Sequence, residues 1–552
     1  MKNSFWVLIL LSIFNLFIAC SQNDEIHVLI LSGSNNHNWS ETTPFLAKMF
    51  TQSGLFSVDV TDMPDTLTTK SLDKYDVLVS NWNSWPENDL RWPAELETAL
   101  LKFVEQGGGF VTFHASTSAF YNWPEFKNIS TAAWIDETNH GKKSATEVLI
   151  QNNSHPITRG MEGFFLEDEL WINAEKNNTF QVLGTATNKI LKEKGIESQP
   201  SVMVKNFGKG KIFHTILGHD VRTMRNIGFQ TLMLRGTEWA ATGGVTQKIP
   251  QQLKNSTDGD FNWNHTDTTF TLLKGQNMIW QYNFNEFHRK PHFHPVYVGR
   301  NNITCVSPDD HPWHVGQWFS WKYLNGVNYW EYVNKNTYKS EGVTKIKDIR
   351  CIPNSDFSAK IELDIMYHPV DGKNVLAEKR TINISAPKAN NGILMDYRFE
   401  FEALVDSLDI NRMPIPGEPN GKSWGGYAGL SVRFNQDFMD SFFISGWGEN
   451  DSVNGRDGDW LYMGFTGLDG NKVGSQIIIS ENTHRNGSTW YSVNTNDLPF
   501  YYFSPAYLYK KPLLLLKGEK LVLQYRINHF AEKTNHTELE KEFQKYKKEL
   551  NQ

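Results

Sequence analysis

The chain has 552 residues, which exceeds what one hydrophobic core usually supports, so two or three domains are expected. Its net charge is −7 and it has no long basic run. Because phosphate binding needs a concentrated positive surface, this composition argues against nucleic acid as a partner. The 17 His and 19 Trp instead favour sites where rings stack on sugars and imidazoles transfer protons.

The first 20 residues have the pattern of an export signal. Lys2 gives a positive start, residues 5–18 are mainly apolar, and Ala19 is the small residue before Cys20. The run is too short for an ordinary membrane-spanning helix. Residues 16–20, Leu-Phe-Ile-Ala-Cys, resemble a bacterial lipobox, which implies lipid (palmitate) attachment at Cys20; a plain secretory signal is the alternative. We therefore expect an outer membrane lipoprotein on the cell surface or the periplasmic face.

Residues 25–245 have the pattern of an α/β domain with a parallel sheet. Short apolar runs that end in Gly or Asn alternate with helical patterns. The predicted helices are residues 41–53, 95–106 and 227–241. The predicted strands are residues 26–32, 76–81, 109–114, 146–150, 201–207 and 211–217. Residues 246–268 are polar and without a clear period, which predicts a linker.

Residues 269–530 have the pattern of a second, all-β domain. Strand-like alternation recurs at short intervals, and it predicts an antiparallel β-sandwich. Examples are residues 360–367, 396–404, 428–434, 476–480 and 520–528. The tail, residues 531–552, is predicted to be a charged surface helix.

Three histidines of the first domain follow predicted strands. His37 follows the first strand, His114 ends the third, and His219 with Asp220 ends another. Ligands of open parallel sheets bind beyond the carboxyl ends of the strands. We therefore predict that these four residues converge and bind substrate. The alternative is that each histidine is structural.

Four motifs of this domain carry a family resemblance. They are Gly-Gly-Gly-Phe-Val-Thr-Phe-His-Ala (107–115), His-Pro-Ile-Thr-Arg-Gly (155–160), Asp-Glu-Leu (168–170) and Leu-Gly-His-Asp (217–220). Together they resemble the ThuA-like (trehalose utilisation) family, which implies a flavodoxin-like fold related to class I glutamine amidotransferases. Those enzymes place a nucleophilic Cys after the corresponding strand, whereas this domain contains no cysteine, which excludes thiol catalysis. Ser116 stays open as a nucleophile, although its turn lacks a Gly-x-Ser-x-Gly elbow.

The second domain has the denser histidine cluster, with five of the 17 histidines between residues 288 and 314. His292 and His294 would share one face of a strand. His311 and His314 follow in a turn that contains proline. No carboxylate or Cys stands at a familiar third-ligand spacing, so no metal ligand is assigned. We therefore favour proton transfer over metal binding as the role of these histidines. The predicted catalytic residues are His294, His311, His314 and the later His484.

This region resembles the DUF6807 family, called PmoA-like in older naming, over residues 270–530. The matching pieces are His-Pro-Val-Tyr (294–297), Gly-Val-Asn-Tyr-Trp (326–330), Tyr-Ala-Gly-Leu-Ser-Val-Arg-Phe (427–434), and residues 308–319, 484–486 and 490–492. The resemblance implies a β-supersandwich-like body, genes beside carbohydrate-degrading genes, and frequent pairing with ThuA-like domains. Other glycan-degrading proteins are therefore expected partners. Arg433 is predicted to clamp a carboxylate or sulfate, with Tyr297 and Trp318 as further substrate-binding residues.

Three functions remain open. The preferred one is a carbon–oxygen lyase, an oligosaccharide dehydratase that acts on acidic oligosaccharides by histidine acid/base elimination. No cofactor is expected, with a divalent metal as the open alternative. Glycoside hydrolysis is the second, although Asp309 with Asp310, and Asp457 with Asp459, are sequence neighbours that rarely flank a bond. The third is a non-catalytic glycan-binding protein with aromatic platforms at Trp313, Trp318, Trp330 and Trp424.

Overall fold

The structure is a computed structural model that describes residues 25–550, except 88, 177–178, 255–258, 286–289, 334–338, 451, 484–488 and 497–498. The predicted signal with Cys20 and the predicted catalytic His484 lie outside the described residues. Within the described ranges, no helix combines the length and apolar composition needed to cross a membrane.

The first domain is built on one large sheet, with two small strand pairs beside it. Its helices are α1 (Trp39–Gln52), α2 (Thr69–Leu72), α3 (Ala94–Gln106), α4 (Pro124–Ile129), α5 (Lys189–Glu193), α6 (Val221–Arg225) and α7 (Ile227–Thr242). Its strands are β1 (Ile26–Leu31), β2 (Phe56–Thr61), β3 (Val77–Ser80), β4 (Gly109–Phe113), β5 (Ala132–Ala133), β6 (Asn139–His140), β7 (Ser144–Ile150), β8 (Phe164–Asp168), β9 (Trp171–Ile172), β10 (Glu175–Lys176), β11 (Gln181–Asn188), β12 (Gln199–Phe207) and β13 (Gly210–Thr215).

The large sheet has the order β2-β1-β3-β4-β13-β12-β11-β7-β8. The strands from β2 to β13 are parallel, and those from β12 to β8 are antiparallel to their neighbours. Gly208 and Lys209 alone join β12 to β13. A parallel pair would need a crossover of about a dozen residues, so this short turn forces an antiparallel pair. The predicted α/β class is confirmed, and the sheet is mixed rather than wholly parallel.

Both faces of this sheet are buried. Val28 and Ile30 of β1 belong to one core together with residues of α1 and α7, whereas Leu29 and Leu31 belong to another with residues of α3. Because both faces are covered, the central strands are nearly continuous apolar runs. The carboxyl ends of β1, β4 and β13 therefore meet at one rigid edge.

The regular secondary structure of the second domain is almost all strand, and a helix, α8 (His536–Leu550), follows it. Its strands are β14 (Phe261–His265), β15 (Thr269–Lys274), β16 (Asn277–Asn283), β17 (His292–Val298), β18 (Asn301–Asn302), β19 (Gln317–Ser320), β20 (Tyr323–Leu324), β21 (Val327–Asn328), β22 (Gly342–Pro353), β23 (Ala359–Pro369), β24 (Leu376–Ile384), β25 (Ile393–Ala403), β26 (Ser407–Asn411), β27 (Gly429–Arg433), β28 (Met439–Ser445), β29 (Gly448–Asn450), β30 (Trp460–Thr466), β31 (Lys472–Ile479), β32 (Trp490–Thr495), β33 (Phe500–Pro505), β34 (Leu513–Leu516) and β35 (Lys520–Phe530).

Two large antiparallel sheets share the core of this domain. One has the order β14-β15-β16-β17-β19-β27-β33-β32, and the other β22-β23-β24-β25-β35-β31-β30-β28-β29. The ring centroids of Phe319 in the first and Phe399 in the second are 4.5 Å apart, so the two sheets pack face to face. The predicted antiparallel all-β class is confirmed.

Part of the predicted linker is a strand. Residues 261–265 form β14, which pairs with β15 at the edge of the first large sheet. Trp263 of β14 stacks on Phe270 with ring centroids 4.9 Å apart. The alternation of aromatic residues with Asn262 and Asn264 covers only five residues and stands in an otherwise polar segment, so the sequence did not single it out as a strand.

The predicted tail helix is amphipathic. Leu539, Phe543 and Tyr546 of α8 are buried in one cluster with residues of β28, β30 and β31. The indole N–H of Trp460 donates a hydrogen bond to Glu540 at 3.0 Å. The charged residues that dominate the sequence of this tail therefore lie mainly on its outer face and at the margins of the buried one.

The two domains are in direct contact. Leu468 of the second domain is 4% exposed and belongs to the hydrophobic core of the first. Its carbonyl accepts a hydrogen bond from the N–H of Phe165 at 2.8 Å. Lys48 of α1 forms an ion pair with Asp309 at 2.7 Å. The loop that carries Asp309 is thereby held beside the first domain.

Candidate functional site

Four strands deliver polar side chains to the carboxyl edge of the first sheet. His37 stands in the loop after β1, His114 directly follows β4, and His219 lies in the loop after β13. Glu169 directly follows β8. Four successive antiparallel pairings separate β8 from β13, so both strands point the same way and end at the same edge.

These four residues form what we call the histidine cluster. The ring centroid of His37 lies 4.8 Å from that of His114 and 4.7 Å from that of His219. The centroids of His114 and His219 are 5.3 Å apart. One nitrogen from each ring and one carboxylate oxygen of Glu169 all lie within 4.8 Å of one another. The structure thus brings together the three histidines singled out in the sequence and adds a carboxylate to them.

His114 has the most constrained position in the cluster. It is 2% exposed, and its φ of +41° lies in the left-handed region, where a side chain other than glycine is strained. Its Nδ1 lies 2.9 Å from the carbonyl oxygen of Ile216, and because a carbonyl only accepts, Nδ1 carries the proton. Its Nε2 is buried with no hydrogen-bond partner among the described residues. An orphaned buried acceptor costs about 1–3 kcal/mol, which points to a functional reason for keeping it.

Amide side chains set the orientation of His37. Its Nδ1 lies 3.2 Å from the Oδ1 atoms of both Asn35 and Asn36. The amide nitrogen of Asn83 donates to the same two oxygens at 2.8 Å each, which fixes them as acceptors. Nδ1 of His37 therefore carries the proton, and its Nε2 offers a lone pair. Outer hydrogen bonds of this kind fix the tautomer of imidazoles that bind metals or transfer protons.

Two of the three imidazoles are neutral at pH 7. Burial, together with the neighbouring His219 and His140, lowers the pKa of His37 to about 4. Burial, together with His37 and His219, lowers the pKa of His114 well below its usual value. A neutral imidazole keeps the lone pair that a proton or a metal ion can take up.

The third ring, His219, is surrounded by carboxylates. Asp168 is fully buried and accepts the N–H of Gly218 at 2.8 Å and that of His219 at 3.3 Å, which fixes the loop. Burial opposes the charging of His219, but Asp220, Glu169 and Asp168 outweigh it and raise its pKa. His219 is therefore the member of the cluster that most readily carries a proton.

The cluster lies at a cavity of about 430 Å³, which His37, Glu169 and His219 line. Its wall includes Trp134, whose ring centroid lies 5.6 Å from that of Trp85 and 5.1 Å from that of Trp171. The volume falls in the range of small-molecule sites, and indole faces stack on the apolar faces of sugars. The arrangement combines an aromatic wall with proton-exchanging groups.

A second cavity adjoins the first and crosses the domain boundary. It has a volume of about 490 Å³, and Asp220 lines both cavities. Its other charged lining residues are Glu41, Lys48, Arg222, Arg225 and Asp309. Since Asp309 belongs to the second domain, both domains line this second cavity.

In the second domain the structure brings His311 and His314 together, with ring centroids 4.8 Å apart. Asp310 accepts a hydrogen bond from Nη2 of Arg433 at 2.7 Å and lies 3.0 Å from Nδ1 of His311. Arg433 is 0% exposed, and its guanidinium lies 3.6 Å from the centre of the Phe500 ring. Asp310 therefore engages one nitrogen of the guanidinium that was predicted to clamp a substrate anion, while Nε and Nη1 of Arg433 are buried without a hydrogen-bond partner among the described residues.

The other predicted residues of this domain are mostly buried. Nδ1 of His294 lies 2.9 Å from Oγ1 of Thr304. Tyr297 is 7% exposed, and burial raises its pKa to about 12. Trp318 is 2% exposed and packs beside His314, whereas Trp424 is 56% exposed. Trp424 therefore offers the ring surface that a glycan platform needs, and Trp318 contributes to packing.

Sequence reasoning missed several residues of the first cavity. Glu169 was part of the Asp-Glu-Leu motif (168–170) but was not predicted as a site residue. His140, which lies 3.1 Å from Glu169, belongs to a polar segment without periodicity. The three tryptophans of the wall gave no positional signal either. Ser116, left open as a nucleophile, is 2% exposed, and its hydroxyl accepts a hydrogen bond from the N–H of Phe113.

Fold and site together define a class of two-domain proteins, in which an α/β domain with a histidine-rich cavity is joined to a two-sheet β domain. The chain belongs to the DUF6807 family, a family of unknown function, whose model matches residues 269–544, half of the chain, and it carries a ThuA (trehalose utilisation) domain over residues 27–240. Both resemblances drawn from the motifs are confirmed. These two families indicate a carbohydrate-related or unknown function.

Solved structures of two putative ThuA-like proteins are similar to the first domain. The one from Parabacteroides merdae is 30% identical, and the match covers 42% of this chain and 96% of that chain with a TM-score of 0.37. The one from Bacteroides uniformis is 20% identical, with coverages of 40% and 94% and a TM-score of 0.32. No curated protein matches the chain.

Proposed function

We propose that the protein is a carbohydrate-active enzyme whose reaction takes place in the first-domain cavity. The observation that carries this proposal is the meeting of the histidine cluster and an indole wall in a cavity of about 430 Å³. Indoles bind the apolar face of a sugar, while imidazoles and carboxylates exchange protons with its polar groups. The description of the ThuA family as trehalose utilisation supports a sugar as the ligand.

The reaction that we favour is elimination from an acidic or oxidised sugar. A base removes the proton next to the activated carbon, the C=C bond forms as the C–O bond breaks, and an acid protonates the leaving oxygen. Glu169 with His140, 3.1 Å apart, and His219 with Asp220, 3.5 Å apart, are the groups available for these transfers. No nucleophile is needed, which agrees with the absence of cysteine from this domain.

An acidic oligosaccharide is the substrate class that the reaction favours. Elimination needs a carbon that a neighbouring carboxylate or carbonyl group makes acidic. The second cavity offers Lys48, Arg222 and Arg225 to such a substrate, but it also carries the carboxylates of Glu41, Asp220 and Asp309. The charge of this cavity therefore does not by itself select an anion, and the requirement of the reaction carries the choice of substrate.

The second domain is the other candidate for the site of reaction, because His311 and His314 lie beside the Asp310–Arg433 pair. Incubation of the protein with acidic and oxidised oligosaccharides tests the reaction. A new conjugated double bond absorbs in the ultraviolet, and mass spectrometry detects loss of water or of an alcohol. Saturable binding with neither change would contradict the elimination reaction and support a glycan-binding protein.

Paired variants locate the reaction. We expect His219→Ala to abolish turnover and the matched variant His311→Ala to retain it. Trp134→Ala should raise KM by about tenfold, because loss of one ring–sugar contact costs on the order of 1–2 kcal/mol. Loss of turnover in His311→Ala with retention in His219→Ala would move the reaction to the second domain.

We further propose that the site operates outside the cytoplasm, on an outer membrane lipoprotein anchored at Cys20. The lipobox-like residues 16–20 support this. Cys20→Ser should abolish incorporation of labelled palmitate and release the protein from the membrane fraction. Unchanged labelling would contradict the anchor.

A further inference from the structure

We propose that the histidine cluster holds a divalent first-row transition metal ion such as Zn²⁺, with His37, His114, Glu169 and His219 as its ligands. This proposal concerns binding, and it can be tested without turnover. With an ion bound, Glu169 and His219 would be ligands, so the proton transfers proposed above would be left to His140 and Asp220, which line the same cavity. The four donor atoms come from four different strand ends and lie within 4.8 Å of one another.

The donor set selects the class of metal. Three imidazole nitrogens and one carboxylate oxygen suit Zn²⁺, Co²⁺, Fe²⁺ or Ni²⁺, whereas Mg²⁺ and Ca²⁺ prefer sets made of oxygen alone. Histidines with one carboxylate are also the ligands of several catalytic zinc sites. The donors of the cluster therefore fit a borderline transition metal.

The orphaned nitrogen of His114 is an independent observation. Its Nδ1–H donates a hydrogen bond to the carbonyl of Ile216. Its Nε2 is buried and has no hydrogen-bond partner among the described residues. His37 is arranged in the same way, with Nδ1 turned to Asn35 and Asn36. Metal-binding histidines characteristically donate the second N–H to a carbonyl or a carboxamide, which leaves the other nitrogen for the ion.

The geometry requires only a modest closure. Zinc–nitrogen bonds of about 2.0–2.1 Å in a tetrahedral site place donor atoms about 3.3 Å apart. The present separations of up to 4.8 Å exceed that value by about 1.5 Å at most. Because His37, Glu169 and His219 line the cavity, the ion would face it and could take a sugar hydroxyl or a water as a further ligand.

The competing explanation is that three neutral rings pack edge to face, as their interplanar angles of 80–88° allow. Packing alone predicts a domain that is indifferent to metal ions. A metal site predicts uptake of an ion and stabilisation by it, since a ligand that binds only the folded state raises the melting temperature. The two explanations therefore differ in a measurable way.

The test uses the untagged protein, stripped with a chelator and then titrated with zinc or cobalt salts. We expect about one ion per chain, visible absorption from the cobalt form, and a higher melting temperature with Zn²⁺ than without. His37→Gln and Glu169→Gln each remove one ligand with little change in volume and should weaken binding at least about tenfold. His27→Gln, at an exposed histidine of the same domain outside the cluster, is the matched control and should bind like the wild type.

Two results would overturn the proposal: no uptake of either ion by the wild type, or undiminished uptake by both ligand variants. Melting temperatures of the chelated proteins show whether the variants are folded. If the variants do not fold, X-ray absorption spectroscopy of the zinc-loaded wild type identifies the ligands of the ion instead. Imidazole nitrogens at about 2.0–2.1 Å support the site, and a shell without imidazole overturns it.

Discussion

Replacing Lys290 by Met should change how the stability of the protein depends on pH. Lys290 is 2% exposed, and its Nζ donates hydrogen bonds to the carbonyls of Trp313 and Trp330, next to the pair His311 and His314. Burial lowers the pKa of Lys290 to about 7, against 10.5 for an ordinary lysine. The folded state therefore favours the neutral amine.

The sign and size of the effect follow from proton linkage. Between pH 7 and pH 10.5 the unfolded chain binds more protons at Lys290 than the folded protein, so stability rises with pH in this window. The stabilisation that the neutral amine gives is complete above pH 10.5, and it is lost as the pH falls from 10.5 to about 7. The whole difference corresponds to roughly 5 kcal/mol, of which roughly 3–4 kcal/mol accrues between pH 7 and pH 10.

Denaturant unfolding at several pH values from 7 to 10 measures this effect for the wild type, Lys290→Met and the exposed control Lys517→Met. The free energy of unfolding of the wild type should gain roughly 3 kcal/mol on that of Lys290→Met across the range. Lys517→Met should follow the wild type. Parallel curves for the wild type and Lys290→Met would refute the reasoning, because they would mean that the two carbonyls keep the buried amine charged.

Three other substitutions test the packing around the two candidate sites. Asn83→Ala removes the donors that fix the acceptors of His37, so zinc affinity in a chelator competition should fall about 10–100-fold, and an unchanged affinity would deny the amides this role. Asp310→Asn removes the negative charge that faces the buried Arg433; because Asp310 itself is exposed, the loss in denaturant unfolding should be about 1–3 kcal/mol, and no measurable loss would show that the pair is dispensable. Leu468→Ala should cost about 2–5 kcal/mol and separate the unfolding of the two domains in calorimetry, whereas one unchanged transition would contradict the shared core.

Local patterns were sufficient to predict the fold class. The apolar run at residues 109–114 corresponds to β4 (Gly109–Phe113), because a strand buried on both faces needs no polar residue. The alternation at residues 360–367 lies within β23 (Ala359–Pro369), where burial alternates along the strand. The edge strand β2 (Phe56–Thr61) was not predicted, since it alternates apolar and polar residues at the end of the sheet, whereas the central parallel strands of this domain are nearly continuous apolar runs.

The candidate site could be predicted only in part. His37, His114 and His219 follow parallel strands, and the rule that ligands bind at the carboxyl ends needs no knowledge of strand order. Glu169 depends on that order, since β8 reaches the same edge only through a series of antiparallel pairings. Such pairings join residues far apart in the chain and leave no local pattern. The same holds for His140 of β6, which the pairing of β6 with β9 brings beside Glu169.

Helix α8 determines how shortened forms of the protein will behave in solution. The buried residues of α8 cover the outer face of the second large sheet, at Ile444, Trp460, Tyr462 and Ile478. Glu549 at the end of the helix also pairs with Arg526, which is 6% exposed. A chain that stops at residue 530 would present this apolar face to water, and contiguous apolar surface drives self-association. We therefore expect the highly charged tail to protect the β domain from self-association, and removal of α8 to lower its solubility.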